Sequence, residues 1–292
     1  MNGWEAWLND WIYVITVIFL VVELVRYVAV KRLNWTLVGD TLTNFVTFGA
    51  FILVSYVTLF ALYLAAYTYF SQFAIWTIDV NWATVLLCVV AADLCYYWEH
   101  RFTHRVGIAW ASHTVHHSSP NMNVSVAYRF GPLDGLWPIP FHIPLVLVGF
   151  NPFVVFFAEA FVQLYQTVLH TEVIKKLPRP IEWLMNTPSH HRVHHGANRE
   201  YIDKNYSGIF IIWDRIFGTF AEEKAAVQFG ITKPLNSVNP LVVFFHGLYR
   251  LGEEFAKANG WRAKWQVLVG PPGQTEVRSS VPVNSRTAGE SL

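Results

Sequence analysis

The chain has 292 residues, of which 53% are hydrophobic, 16% aromatic and only 14% charged. So little polar surface cannot cover a soluble domain of this apolarity, and the composition points to a bilayer as solvent. A net charge of +1 leaves no global field to attract nucleic acid. The two cysteines, Cys88 and Cys95, lie in one apolar segment, which argues against a disulfide framework and leaves no Cys-x-x-Cys zinc site.

A spanning helix needs roughly 20 mostly apolar residues. Residues 11–30 meet that length, with Glu23 and Arg26 near the end. The flank carries Glu5 and Asp10 instead of a basic patch, so the run reads as a retained anchor and not as a cleaved signal. Residues 42–70 read as one tilted span, and residues 82–99 as another that carries Asp93 deep within it. Residues 133–150 and 153–170 read as a hairpin turning at Asn151-Pro152. Pro138, Pro140 and Pro144 make its first arm irregular, a re-entrant segment instead of a clean helix. About four to five spans result.

Three basic groups flank these runs: Arg26, Lys31 and Arg32; Arg101, Arg105 and Arg129; and Lys175, Lys176, Arg179, Arg192, Arg199 and Lys204. With five spans all three fall on one side, the cytoplasm by the positive-inside rule. Residues 241–258 carry apolar side chains at 241, 244, 245, 248, 251 and 255, one helical face. That helix either lies in the membrane interface or packs on the protein's own cytoplasmic part. Residues 271–292, rich in Ser, Pro, Gly and Thr, read as a disordered polar tail. The chain is thus one membrane-embedded domain, residues 1–270, with its motif-bearing core at 82–220.

Eight of the twelve histidines fall in three clusters: His100 and His104; His113, His116 and His117; His191, His194 and His195. Positions i, i+3 and i+4 share one helix face, so each cluster can aim two or three imidazoles at one point. Imidazole is a ligand for iron, zinc and copper. Eight nitrogens exceed the four that one tetrahedral metal takes, so two metals sharing the set is the natural reading.

Polar stripes accompany the clusters. Asp93, Tyr97, His100 and His104 run down the 82–99 span and out of it. Asp93 is expected to orient a ligand imidazole, or else to make a buried hydrogen bond to Tyr97 or a neighbouring helix. Glu159, Gln163, Gln166 and His170 repeat the spacing. There His170 is the ninth candidate ligand, and Gln166 and Glu159 are expected to line a cavity. Thr187 as N-cap, Pro188 as first helical residue and Gly196 as stop frame a short helix for the third cluster. His190 on that helix is read as supporting the ligands, with a ligand role as the alternative, and His142 and His246 as structural.

These motifs resemble the fatty acid hydroxylase and sterol desaturase superfamily. The match runs through Asp93-Leu-Cys-Tyr-Tyr-Trp-Glu-His100-Arg-Phe-Thr-His104, Trp110-Ala-Ser-His113-Thr-Val-His116-His117, His170-Thr-Glu and Asn186-Thr-Pro-Ser-His190-His191-Arg-Val-His194-His195-Gly. It continues through Asn205-Tyr-Ser-Gly to Trp213-Asp214-Arg-Ile-Phe-Gly218-Thr. The stretch from His170 to Thr219 looks most like the alkylglycerol monooxygenase branch. The resemblance implies an all-α membrane bundle with a cytoplasmic, His-rich di-iron cap. It also implies O2-dependent hydroxylation or desaturation of a lipid such as a sterol, fatty acyl chain or ether lipid. A tetrahydropterin as reductant is what that branch implies.

Attack on an unactivated C–H bond needs a cofactor able to handle O2, here two non-haem iron ions. Neutral imidazoles leave such a cluster strongly cationic, so Glu99 and Asp214 join Asp93 as candidate catalytic carboxylates, although Asp214 can equally pair with Arg215. The sequence carries no dinucleotide fingerprint and no cysteine set for an iron–sulfur cluster. Electrons are therefore expected from a separate protein donor or a diffusible reductant. Two other classes compete: a zinc-dependent membrane lipid hydrolase, for which the His-Glu-x-x-His motif is missing, and a histidine-rich metal transporter, which would need polar ligands along its spans.

Overall fold

A computed structural model describes residues 3–58 and 60–272, with side-chain surroundings from Val14 onward except at 55–61. Most of the expected polar tail, from residue 273, lies outside the described residues.

The chain is all-helical, with no strand among the described residues. In order come α1 (Gly3–Ala29), α2 (Trp35–Thr58), α3 (Phe60–Ser71), α4 (Trp82–Arg105) and α5 (Gly107–His117). Two short 3-10 turns follow at Val124–Tyr128 and Asp134–Leu136. After them come α6 (Pro138–Val148), α7 (Pro152–Thr167), α8 (Arg179–Leu184), α9 (Pro188–His194), α10 (Ile212–Ile216), α11 (Pro240–Lys257) and α12 (Trp261–Val269). Helix starts follow local chemistry. Asn81 opens α4 with a capping box to Thr84. Asn-Pro pairs at 151–152 and 239–240 open α7 and α11, the Asn side chain accepting from the first free N–H groups and Pro fitting the first helical position.

Two described helices are long and apolar enough to cross a membrane, Trp35–Val54 within α2 and Trp82–Arg105. The expected 42–70 span is divided between α2 and α3. The expected hairpin does turn at Asn151-Pro152, but its arms have 11 and 16 residues. At about 1.5 Å per residue neither reaches across a hydrocarbon core of roughly 30 Å. The prolines that begin α6 late and sit inside it account for the short first arm.

Polarity is turned inside out along α1 and α2. Val17, Ile18, Val21, Val25, Leu42, Val46 and Leu53 are exposed, whereas Glu23, Asp40, Thr43, Asn44 and Thr47 are buried. Such a pattern suits a lipid solvent, where polar groups must turn inward to find partners. Glu23 accepts hydrogen bonds from the Val124 N–H (2.9 Å) and the Thr171 hydroxyl (2.7 Å). Asp40 pairs at 2.9 Å with Arg129, which is fully buried. Arg129 is therefore an internal strut and not one of the surface charges that set orientation.

The core lies between α4, α6 and α7, where Cys88, Ala92, Val146, Val155, Ala158 and Val162 have no exposed surface. Gly208 brings the loop before α10 onto α4 and α7: a Cβ there would meet Val162 at 2.5 Å and the Asp93 carboxylate at 2.6 Å. α11 crosses α5 as closely at Gly247, whose Cβ would lie 2.0 Å from the Ala111 carbonyl oxygen. Of the two placements open for this helix, packing on the protein's own body is realised through Val243, Phe244, His246 and Gly247, while Leu241, Phe245 and Tyr249 stay exposed.

Candidate metal centre

Nine imidazoles converge where the last turn of α4 meets α5, the end of α7 and α9. They form two groups: His100, His104, His113, His117 and His194; and His116, His170, His191 and His195. Within each, the ligand nitrogens lie within 4.8 Å of one another. The helices interleave the two. On α5, His113 and His117 face the first group and His116 the second. On α9 the pattern reverses, with His191 and His195 in the second group and His194 in the first. A run of i, i+3, i+4 thus serves two neighbouring points at once, because the i+3 position is rotated off the i/i+4 line. All nine histidines singled out by spacing are in these groups, and His142, His190 and His246 are not.

Backbone carbonyls fix the rings. Nδ1 of His100 lies 2.8 Å from the Tyr206 oxygen, that of His116 3.2 Å from Arg129, that of His170 2.8 Å from Gln166 and that of His194 3.0 Å from Lys204. A carbonyl only accepts, so each Nδ1 carries the proton and each Nε2 presents a lone pair inward. Yet the Nε2 atoms of His116 and His170 are 3.3 Å apart, and Nε2 of His194 is buried without a protein partner. Opposed lone pairs repel, and a cation between them removes the repulsion. Burial pushes the His113 imidazole down to about 3 and His194 to about 4, and it also lowers His116, His117, His191 and His195, aided by neighbouring imidazoles. The rings are therefore neutral at ordinary pH, the form that binds metal. The donor set fits two metal ions, one held by five imidazoles and one by four.

Of the three carboxylates expected to be catalytic, Asp93 and Asp214 take other places and Glu99 stays beside the histidines. Asp93 does not touch an imidazole or Tyr97. It accepts from the N–H groups of Ile209 (2.6 Å) and Phe210 (2.9 Å) and from the Trp213 indole (2.8 Å). Seven positions along α4 separate it from His100, the nearest candidate ligand on that helix, and its lone pairs are taken by the loop above it and the Trp213 indole. Asp214 is likewise a structural acceptor, bonded to the N–H groups of Tyr206 and Ser207 (both 2.8 Å) and to the hydroxyls of Ser207 (2.5 Å) and Thr219 (2.6 Å). It does not pair with Arg215, which reaches the carbonyls of Trp183 and Glu182. Its influence passes through the Tyr206 peptide to His100. Glu99 alone lines the cavity beside the histidines, and its buried Oε2 has no protein hydrogen-bond partner.

Sequence reasoning missed Glu182. Its carboxylate accepts from Thr187, Ser189 and the Leu177 N–H, and lies 3.0 Å from His190 Nε2. Burial raises it, but bonds from His190, Leu177 and Ser189 outweigh that and hold it at about 2. Thr187 occupies the N-cap position of α9 as expected, but its hydroxyl serves Glu182 and not the helix N–H groups. Nothing in the spacing of Arg-Pro-Ile-Glu182 marks this role.

Two cavities adjoin the centre from different sides. One of about 250 Å³ is bordered by His100, His113, His116 and His170 and by Phe48, Phe130 and Leu164. The other, about 420 Å³, is bordered by His104, His117 and His194 with Arg105, Trp110 and Asp203. Gln163 and Gln166 border the first, whereas Glu159 sits behind it, accepting from the Tyr67 hydroxyl at 3.0 Å.

The sequence model of the fatty acid hydroxylase family matches residues 85–219. Human alkylglycerol monooxygenase is 44% identical over 198 residues, 68% of this chain and 43% of that protein. The ornithine lipid hydroxylase OlsE of Rhizobium tropici is 31% identical over 51% of this chain and 45% of its own length. Mouse lathosterol oxidase is 27% identical over 48% and 47%. The chain therefore spans less than half the length of these relatives. No solved structure matches it.

Proposed function

Residues 85–219 belong to the fatty acid hydroxylase family, and from that premise we propose that the chain is a membrane oxygenase using two iron ions and O2 to hydroxylate a C–H bond of a lipid. The observation that carries this is the pair of imidazole groups, five and four, opening onto a cavity with apolar walls. The iron pair, when bound, supplies the O2 chemistry that no side chain can. The chain's own residues do the rest. Backbone carbonyls of Tyr206, Arg129, Gln166 and Lys204 hold the imidazole tautomers, and Asp214 and Asp93 brace the loop that supplies the Tyr206 carbonyl. Phe48, Phe130 and Leu164 offer the substrate carbon a dry wall beside the histidines.

The centre sits at the C-terminal end of α4, where the basic groups cluster, so in this reading it faces the cytoplasm of a multi-pass membrane protein. Electrons come from a separate donor, an electron-transfer protein or a reduced pterin. The test is the purified protein in detergent or nanodiscs, measured for bound metal and for O2 uptake with a reductant and membrane lipid. Iron with O2-dependent lipid product supports the reading. Zinc with no O2 uptake would instead favour the hydrolase.

A further inference from the structure

The smaller cavity has a polar corner that the metal centre does not use. Among the described residues, three of its lining side chains carry buried polar atoms with no protein hydrogen-bond partner: Glu99 Oε2, Asp134 Oδ1 and Trp137 Nε1. Leaving such atoms unpaired is costly, and sites that leave several together are built for a polar ligand. Each group is held in place. Glu99 is 6% exposed and precedes the candidate ligand His100 on α4. Asp134 is fixed by its other oxygen, which accepts from the Gly131 N–H at 2.7 Å. The Trp137 ring packs on Phe102, centroids 5.6 Å apart.

The chemistry of the corner is selective. Two carboxyl oxygens and one indole N–H match hydroxyl groups, which both donate and accept. Among the described residues no Lys or Arg lines this cavity. The cavity near the α1–α2 turn differs, bordered by Lys31, Arg32, Lys175 and Arg192 together with Glu172 and Glu223, which pair with Arg32 and Arg192. A phosphate head would find the lysines Lys31 and Lys175 there and no cationic side chain among the described residues beside Glu99. Phe48, Ala127, Phe130 and Leu164 supply apolar wall for the chain attached to the head.

We propose that Glu99, Asp134 and Trp137 clamp the uncharged, hydroxyl-bearing head of the lipid, so that a carbon close to that head lies at the histidines. This deepens the function proposed above and rests on it. Glu99 and its partners are positioning residues for the substrate.

The test uses the iron-loaded full chain in nanodiscs without O2, so that binding is read without turnover. The probes are a monoacylglycerol and the lysophosphatidate with the same acyl chain. The monoacylglycerol should bind more tightly, by about 10-fold or more if two or three hydrogen bonds are at stake. Trp137→Phe keeps the ring and removes only the N–H. It should weaken monoacylglycerol binding about 3- to 10-fold and leave iron content unchanged, and in turnover KM should rise more than kcat falls. Glu99→Gln provides a second variant should Trp137→Phe fold poorly, and should narrow the preference between the two heads. Equal or tighter binding of the phosphate lipid by the wild type, or unaltered monoacylglycerol binding in folded, iron-loaded variants, overturns the clamp. Wild-type iron content and O2-dependent product are read separately and report on the proposed function itself.

Discussion

His116 and His170 point Nε2 at each other across 3.3 Å while each donates its Nδ1 proton to a backbone carbonyl, that of Arg129 or Gln166. Two lone pairs face one another, and burial together with the neighbouring imidazoles disfavours the second proton on either ring that would relieve them. The arrangement stores the demand for a cation in groups far from the metal point. Arg129 in turn is held by Asp40 and Asn44 of α2, at 2.9 and 2.6 Å. Arg129→Lys should lower iron retention although Arg129 is no ligand, since Lys cannot keep the forked contacts to Asp40, Asn44 and Ser118. The fall should be about 10-fold or more in metal affinity, measured by chelator competition.

Asp93 on α4, which accepts from the N–H groups of the loop before α10, predicts a stability effect. Asp93→Asn places an N–H2 group against two backbone N–H groups and an indole N–H. It should cost about 2–4 kcal/mol, read as a lower unfolding midpoint in detergent. Iron is lost as a consequence of unfolding and not in the folded fraction. A normal midpoint with lost activity would restore Asp93 to a direct catalytic role.

The metal-free protein should depend on pH in a set direction. Unfolded imidazoles titrate near 6.5, whereas His113 and His194 are held near 3 and 4 in the fold. Above pH 6.5 neither state takes protons and the stability is full. As pH falls from 6.5 toward 4 the unfolded chain binds protons the folded chain refuses, so stability declines. Unfolding midpoints of the metal-free protein should agree at pH 7 and 8 and drop clearly by pH 5. A flat profile would contradict the buried, neutral state of the rings.

Orientation is tested by labelling. Glu200 is exposed beyond α9, on the side of the histidines. Glu200→Cys in a background lacking Cys88 and Cys95 should resist an impermeant thiol reagent in intact cells and react after lysis. Trp82→Cys at the opposite end of α4 should react in both. Labelling of Glu200→Cys from outside would reverse the assigned orientation.

The convergence of the imidazoles is legible in the sequence because helical periodicity is local: spacings of three and four report a shared face whatever the fold. His170, a lone histidine, was reached only because Glu159, Gln163 and Gln166 continue its stripe. Of the two readings open for Asp93, the buried hydrogen bond to a neighbouring helix is the one found, to Trp213 of α10; spacing alone could not choose it because the partners Ile209, Phe210 and Trp213 lie more than 100 residues away. Glu182 and the four carbonyl anchors left no mark, since a backbone oxygen has no residue type. Hydropathy finds the apolar runs, and the prolines of 133–150 mark that arm as irregular, as the short α6 starting at Pro138 shows.

The central claim is that nine imidazoles hold two irons. Metal analysis of the purified protein, with iron counted per chain, tests it most directly when paired with His116→Ala and His194→Ala, one from each group. The wild type should carry two irons per chain, each single variant fewer, and the double variant almost none, while His142→Ala and His246→Ala keep the full complement. Wild-type iron in the double variant, or zinc in place of iron throughout, would contradict the account.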